Sequence, residues 1–373
     1  MRSWLQQAKR GRTWTWAVVT ALELALNALV VSIALGLLLL AAHFPYGKDA
    51  PLLPEEVAKI RTYYATAYAE HKSDAAPESQ PEKEDAYVTT ARGEIRIFRV
   101  KETVESFVER FNLQGRKVLD VGSGTGYLQD VANDYTGLDI SPSARRFYHK
   151  PFVVGSATAM PFADNSFDAV WSIWVLEHVT NPEQALREMR RVAKDGGLLF
   201  LAPAWDVRYW AAQGYEFRPY HDFGPAGKLL KASIPAQRYF ACLSEWVVRP
   251  ARAAAWKLTG RPTIFRYSRL EPNYKQYYGP DADAVNSLDR AEMALWFTSR
   301  GDECLNCPSL WHGQDAPQEP TLSEIVIRVR KREPDRVAGT PRRVADSTSG
   351  ALDHNGHAAL LSRLGPATLR HSQ

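Results

Sequence analysis

The sequence predicts an α/β fold with a mostly parallel sheet and an antiparallel final hairpin, preceded by an N-terminal transmembrane helix. Three observations carry that expectation. Strand-like apolar runs alternate with helical patterns from Arg96 to Ala202, the last two strand-like runs have no helix between them, and an uncharged apolar run lies near the N-terminus. Strands separated by helices build a parallel sheet covered on both faces, whereas two strands in succession pair antiparallel at its edge.

The apolar run is Leu24 to Ala42, nineteen uncharged residues. As a helix it covers about 28 Å, one bilayer hydrocarbon core. Trp4, Trp14 and Trp16 precede it, and Phe44 and Tyr46 follow it, where amphipathic rings favour the interface. A signal peptide fits less well, because the run exceeds an h-region of about 7–15 residues and Leu40-Ala41-Ala42 makes a poor cleavage site. Residues 1–16 then form a basic N-terminal segment, 17–42 the membrane helix and 43–90 a stalk rich in proline and charge around one amphipathic stretch, Val57 to Ala69. Residues 91–333 form the folded domain, with 205–288 inserted, and 334–373 a tail too polar to offset its ordering entropy.

Composition narrows the class. The chain has 373 residues, 45% hydrophobic and 24% charged, which excludes disorder throughout. Three cysteines are too few for a disulfide scaffold. A formal charge of +4 is too small to indicate nucleic-acid binding by itself.

Within the domain, apolar spacing predicts a helix over Arg96–Phe111, a buried strand over Lys117–Val121 and a helix over Gly126–Ala132. Tyr135–Ile140 reads as a strand, Ser141–Tyr148 as a helix behind a serine cap and an N1 proline, and Pro151–Gly155 as a third strand. Phe167–Ser172 is strand four, Pro182–Ala193 an amphipathic helix and Leu198–Ala202 strand five. After the insertion come a helix over Asp289–Arg300 and strands over Glu303–Cys307 and Thr321–Arg330.

The chemistry is concentrated where strand one ends, in Val118-Leu119-Asp120-Val121-Gly122-Ser123-Gly124-Thr125-Gly126. Glycines there let the main chain approach a ligand closely. The spacing is G-x-G-x-G, unlike the G-x-G-x-x-G of dinucleotide binders, and Asp120 adds a carboxylate where a pyrophosphate would be repelled. A cationic ligand suits it better. Asp139, seventeen positions after Gly122 at the end of the next strand, is placed to accept both hydroxyls of a ribose.

Residues 95–202 resemble the class I S-adenosylmethionine-dependent methyltransferases, in particular the group acting on small molecules, quinone precursors and lipids. Besides the glycine turn and Asp139, the resemblance rests on Gly155-Ser156-Ala157-Thr158-Ala159-Met160-Pro161-Phe162, on Ser166-Phe167-Asp168-Ala169-Val170 and on Val175-Leu176-Glu177-His178-Val179. It implies a Rossmann-like seven-stranded sheet and S-adenosylmethionine as cofactor. The backbone of Gly122, Ser123, Gly124 and Gly126 would hold the methionine moiety, with Asp120 near its ammonium. Asp139, with Ile140 beside it, would bind the ribose, and Ser156, Ala157 and Met160 would flank adenine. Ser156 stands where the family commonly has an aspartate.

Methyl transfer from a sulfonium needs alignment and, for a hydroxyl acceptor, removal of a proton. His178 after strand four and His221 beside Asp222 in the insertion are the candidate catalytic bases. Residues 205–275 carry twelve Lys or Arg against five Asp or Glu, with fourteen aromatics, a composition suited to a lid at an anionic bilayer surface. Cys304-x-x-Cys307 with His312 nearby is one incomplete pair, so no metal is expected. The expectation is a single-pass membrane methyltransferase acting on a small-molecule or lipid-like acceptor, with no nucleic-acid partner. The alternative is a noncatalytic nucleoside-binding module tethered to the membrane. Because the cofactor is made in the cytosol, the catalytic domain is expected on the cytoplasmic face. Charge flanking the span leans slightly the other way, with Arg2, Lys9, Arg10 and Arg12 before it and Lys48, Lys59 and Arg61 after it.

Overall fold

The computed structural model describes residues 2–43, 52–66, 93–208, 210–236, 244–274, 281–307 and 322–331. The tail, most of the expected stalk and His312 lie outside the described residues. Helix α1 (Arg2–His43) contains Val18–Leu37, a stretch long and apolar enough to cross a membrane, none of it buried in the protein. Helix α2 (Pro54–Thr66) follows within the segment expected as stalk, and α3 (Val100–Arg110) opens the domain. The helix expected from Arg96 is interrupted at Arg99, whose φ of 50° is left-handed, so α3 begins one residue later.

Five strands come next: β1 (Lys117–Val121), β2 (Asp134–Asp139), β3 (Phe152–Val154), β4 (Phe167–Ile173) and β5 (Ala193–Ala202). Helix α4 (Pro182–Val192) joins the last two, capped by the Asn181 side chain on the Gln184 N–H with Pro182 in the first turn. The insertion contributes α5 (Pro225–Ser233), α6 (Arg249–Thr259) and a small hairpin of β6 (Tyr267–Arg269) with β7 (Asn286–Leu288). Helix α7 (Arg290–Thr298), capped by Asp289, leads to β8 (Glu303–Cys304) and β9 (Ile325–Arg328).

The main sheet has seven strands in the order β3-β2-β1-β4-β5-β9-β8. β1 to β5 pair in parallel, and β9 pairs antiparallel with both β5 and β8. The alternation of side chains sends Leu119, Val121, Leu199 and Leu201 to one face, under Leu186, Met189, Trp296 and Phe297, and Val118, Trp171 and Phe200 to the other, against Val104 and Phe107. Burial on both faces is why these strands read as continuous apolar runs.

Two expected helices do not form as such. Residues 126–132 are a series of turns, because β2 begins eight residues after Gly126 and the whole connection is as short as a parallel crossover allows. Ser141–Tyr148 is replaced by a 3-10 helix, Pro142–Phe147, and the Ser141 hydroxyl, expected as its cap, instead donates to the Ala65 carbonyl at the end of α2. Pro250 lies in the first turn of α6, where its missing N–H leaves no helical bond unmade. Cys304 and Cys307 are joined as a disulfide, beside the sheet-edge strand.

Candidate active site

A cleft of about 900 Å³, open solvent at its mouth included, lies beside the C-terminal ends of β1, β2, β3 and β4. Ligands bind in such crevices in parallel α/β sheets, because the strand ends leave loops free to diverge. From β1 comes Gly122, from the end of β2 Leu138, Asp139 and Ile140, and from the loop after β3 Gly155, Ser156, Ala157 and Thr158. The segment after β4 supplies Trp174, Val175 and His178, and α2 supplies Val57, Ile60, Arg61 and Tyr64.

The glycine turn is shaped by backbone conformation. Gly122, Gly124 and Gly126 have φ of 73°, 51° and 69°, a region that side chains disfavour. A Cβ on Gly122 would stand 2.2 Å from a methyl of Val175. Asp139 locks the turn: one carboxylate oxygen accepts the Gly124 N–H at 2.9 Å and the other the Ser141 N–H at 2.8 Å. Each oxygen keeps a second lone pair for a ligand hydroxyl. Burial raises the Asp139 pKa, and those backbone N–H groups oppose the rise.

Other expected residues lie differently. Asp120 is buried behind the turn and is not part of the cleft wall; its carboxylate accepts the Tyr135 hydroxyl at 2.8 Å. Burial pushes its pKa up to about 7, against the lowering by that hydrogen bond. Ser123, Gly124 and Gly126 form the turn without lining the cleft, and Tyr148 supports them by donating to the Ser123 carbonyl at 2.9 Å. Ser156 and Ala157 are in the wall, and the Ser156 hydroxyl sits 2.9 Å from that of Thr158. Met160 is a core side chain whose N–H donates to Glu188, so it does not flank the cleft.

The two histidines separate. His178 lines the cleft, with Nδ1 2.7 Å from the Tyr64 hydroxyl, which also donates to Asp283 at 2.9 Å. Burial lowers the His178 pKa, but Asp283, Glu177 and Asp281 outweigh it and raise it. His221 lies outside the cleft wall, with its side chain 81% exposed and paired only loosely to Asp222. A lone His-Asp pair in sequence does not distinguish a base from a solvated turn.

Sequence reasoning passed over α2. Val57, Ile60 and Tyr64 recur at helical spacing, so one face of this short helix was bound to find an apolar partner, yet the surrounding proline and charge made it read as spacer. It also missed Trp174, which follows β4 with a left-handed φ of 52° and packs edge-on against Phe98.

Comparison with known proteins places this architecture. The family description "Methyltransferase domain" matches residues 119–201. A demethylmenaquinone methyltransferase of Renibacterium salmoninarum is 45% identical over 97 residues, covering 24% of this chain and 41% of the relative. An uncharacterized methyltransferase of Mycobacterium tuberculosis is 32% identical over 175 residues, covering 43% of this chain and 68% of the relative. Among solved structures, the S-adenosylmethionine-bound amino pentose methyltransferase of Micromonospora echinaspora is 20% identical with a TM-score of 0.28, over 32% of this chain and 56% of that one. The chain spans about two fifths of the length of the demethylmenaquinone methyltransferases it matches. On the strength of the mycobacterial relative, the matched domain and the sheet order, the chain belongs to the class I S-adenosylmethionine-dependent methyltransferases.

Proposed function

We propose that this protein is a membrane-anchored methyltransferase that transfers a methyl group from S-adenosylmethionine to a small-molecule or lipid-like acceptor. The observation that carries the reading is the cleft in which a bare glycine turn and the Asp139 carboxylate face the same space. The residues present fit the cofactor. Gly122 presents bare main chain to the cleft, packed against Val175, Asp139 keeps acceptor capacity for sugar hydroxyls, and Ser156 and Ala157 offer a small, partly polar wall for a base. Asp120 lies behind the turn, hydrogen-bonded to the Tyr135 hydroxyl, and is not a direct contact. When bound, the cofactor supplies a methyl group already activated by a sulfonium. The chain's part is to align the acceptor, exclude water and handle the acceptor's proton on the side where His178, Tyr64 and Asp283 meet.

The relative named for demethylmenaquinone supports a small-molecule acceptor. The apolar span in α1 supports a membrane anchor, and only ten residues separate α1 from α2. A connection of that length reaches at most about 40 Å, which keeps the cleft near the bilayer and favours an acceptor that resides there. The insertion adds exposed Trp246, Val247, Leu258 and Ile264 beside its basic residues, as a surface-seeking lid would. We assign the domain to the cytoplasmic face, where the cofactor is made; protease protection of the C-terminal tail in sealed vesicles would contradict this. The main test is incubation of the full chain in lipid vesicles with methyl-labelled cofactor and lipid and metabolite extracts. A product heavier by one methyl is expected. Cofactor binding with no labelled product from any extract would favour the noncatalytic module.

A further inference from the structure

Behind His178, which lines the cleft, the loop after β4 and the end of the insertion bring Glu177, His178 and Asp281 together. One ligand atom from each lies within 4.8 Å of the others. Ligand atoms on opposite sides of a divalent cation at 2.0–2.6 Å stand about 4–5 Å apart, so this group has the dimensions of one coordination sphere. Three acidic side chains, Glu177, Asp281 and Asp283, surround the single His178 imidazole.

Two further observations point to a ligand. Glu177 is fully buried and neither carboxylate oxygen has a hydrogen-bond partner; Oε1 faces His178 Nε2 at 3.8 Å. Burial raises the Glu177 pKa, and the backbone N–H groups of Glu177 and Ala204 partly oppose the rise. Buried carboxylates are paired, protonated or bound to metal. The imidazole, in turn, is oriented as metal-bound imidazoles are. With the proton on Nδ1, the ring donates to the Tyr64 hydroxyl at 2.7 Å, and that hydroxyl donates to Asp283 Oδ2 at 2.9 Å. This leaves the Nε2 lone pair toward Glu177, with a carboxylate behind the ring fixing its tautomer.

We propose that Glu177, His178 and Asp281 bind a divalent cation of the magnesium or manganese type, which holds an oxygen of the methyl acceptor beside the cleft. The proposal rests on the methyl-transfer reading and names its acceptor class: a molecule carrying a hydroxyl, with a second oxygen near enough to share the cation. One imidazole among oxygen donors suits such a hard cation better than thiolate-seeking metals. The cation lowers the pKa of the coordinated hydroxyl, whose O–H bond breaks and gives its proton to water. An oxygen lone pair then forms the O–CH3 bond while the S–CH3 bonding pair returns to sulfur, so the sulfonium and the alkoxide yield a neutral thioether and a neutral methyl ether. His178 is then a ligand, and Tyr64 a positioning residue acting through it.

The test is titration of the full-length protein with Mn2+, read by loss of the free-ion paramagnetic resonance signal, with S-adenosylhomocysteine titrated calorimetrically on the same samples. One Mn2+ per chain is expected, displaced by excess Mg2+. Glu177→Gln and Asp281→Asn should each weaken it at least about 100-fold, while both variants bind S-adenosylhomocysteine as the wild type does. Asparagine tolerates the left-handed φ of 63° at position 281, so that variant keeps its backbone. His221→Ala, outside the cleft, should bind Mn2+ unchanged. No Mn2+ uptake by wild-type protein that binds S-adenosylhomocysteine, or equal uptake by both ligand variants, would overturn the cation site and leave the methyl-transfer reading standing. Failure of S-adenosylhomocysteine to bind any of these proteins would instead count against that reading.

Discussion

The two sides of the cleft are built in different ways. The glycine-turn side is local: Gly122 to Gly126 and Asp139 come from two adjacent strands, and both Asp139 oxygens are tied to backbone N–H groups. The acceptor side is assembled from three distant segments. Tyr64 meets His178 across 114 residues and Asp283 across 219, and Glu177 is left without a hydrogen bond. The first side is a finished backbone cradle; the second gathers acidic side chains around one histidine. A fold shared by many activities can hold the former constant while the latter varies.

That contrast can be broken experimentally. The largest effect is expected from Gly122→Val, which puts a branched side chain at φ 73° and into Val175. Backbone strain of about 1–3 kcal/mol together with displacement of Val175 in the cleft wall should abolish S-adenosylhomocysteine binding, as measured by calorimetry, while circular dichroism still reports the sheet. Binding within threefold of wild type would mean the turn does not hold the ligand.

Next is Asp120→Asn. The folded pKa of Asp120 is pushed up to about 7 by burial, well above the ordinary carboxylate range. Its folded state therefore holds a proton that the unfolded chain releases, so this group lowers stability progressively as pH rises from about 4 to about 7 and adds no slope beyond. Denaturant unfolding across that range should show a shallower decline in the asparagine variant, with a difference on the order of a few kcal/mol at pH 7. Parallel curves would mean Asp120 ionises freely.

On the other side, Ile60→Ala removes the buried anchor of α2, 6% exposed in the wild type. A cost of about 2 kcal/mol to α2 docking is expected, seen as faster hydrogen exchange in residues 54–66, with methyl transfer falling roughly tenfold and the glycine turn unaffected. Unchanged exchange would return α2 to the role of spacer. The smallest effect is expected from Tyr64→Phe, which deletes the hydroxyl between His178 and Asp283. Activity should fall several-fold without loss of S-adenosylhomocysteine affinity, because orientation and not contact is removed. A drop in that affinity would place Tyr64 on the cofactor side instead.

The same contrast explains what was legible in the sequence. Strands β1 to β5 and helices α4 and α7 announced themselves through apolar runs and caps that sit within a few residues of each other, as at Asn181-Pro182 and Asp289. The Gly122 turn and Asp139 were legible for the same reason. Nothing local says that Tyr64 reaches His178, or that Asp281 and Asp283 return from the insertion to Glu177; those contacts follow from where the chain crosses the sheet. Met160 and His221 show the converse, since a motif position and a polar pair were visible while their burial and exposure were not.

The central claim is that Asp139 and the glycine turn together grip an adenosyl ligand. Its most direct test is calorimetric titration of wild type and Asp139→Ala with S-adenosylhomocysteine. The wild type should bind one equivalent, and the variant, which frees the Gly124 and Ser141 N–H groups and loses the acceptor for the sugar, should bind at least about 100-fold more weakly. No binding by folded wild-type protein, or equal binding by the two, would contradict it.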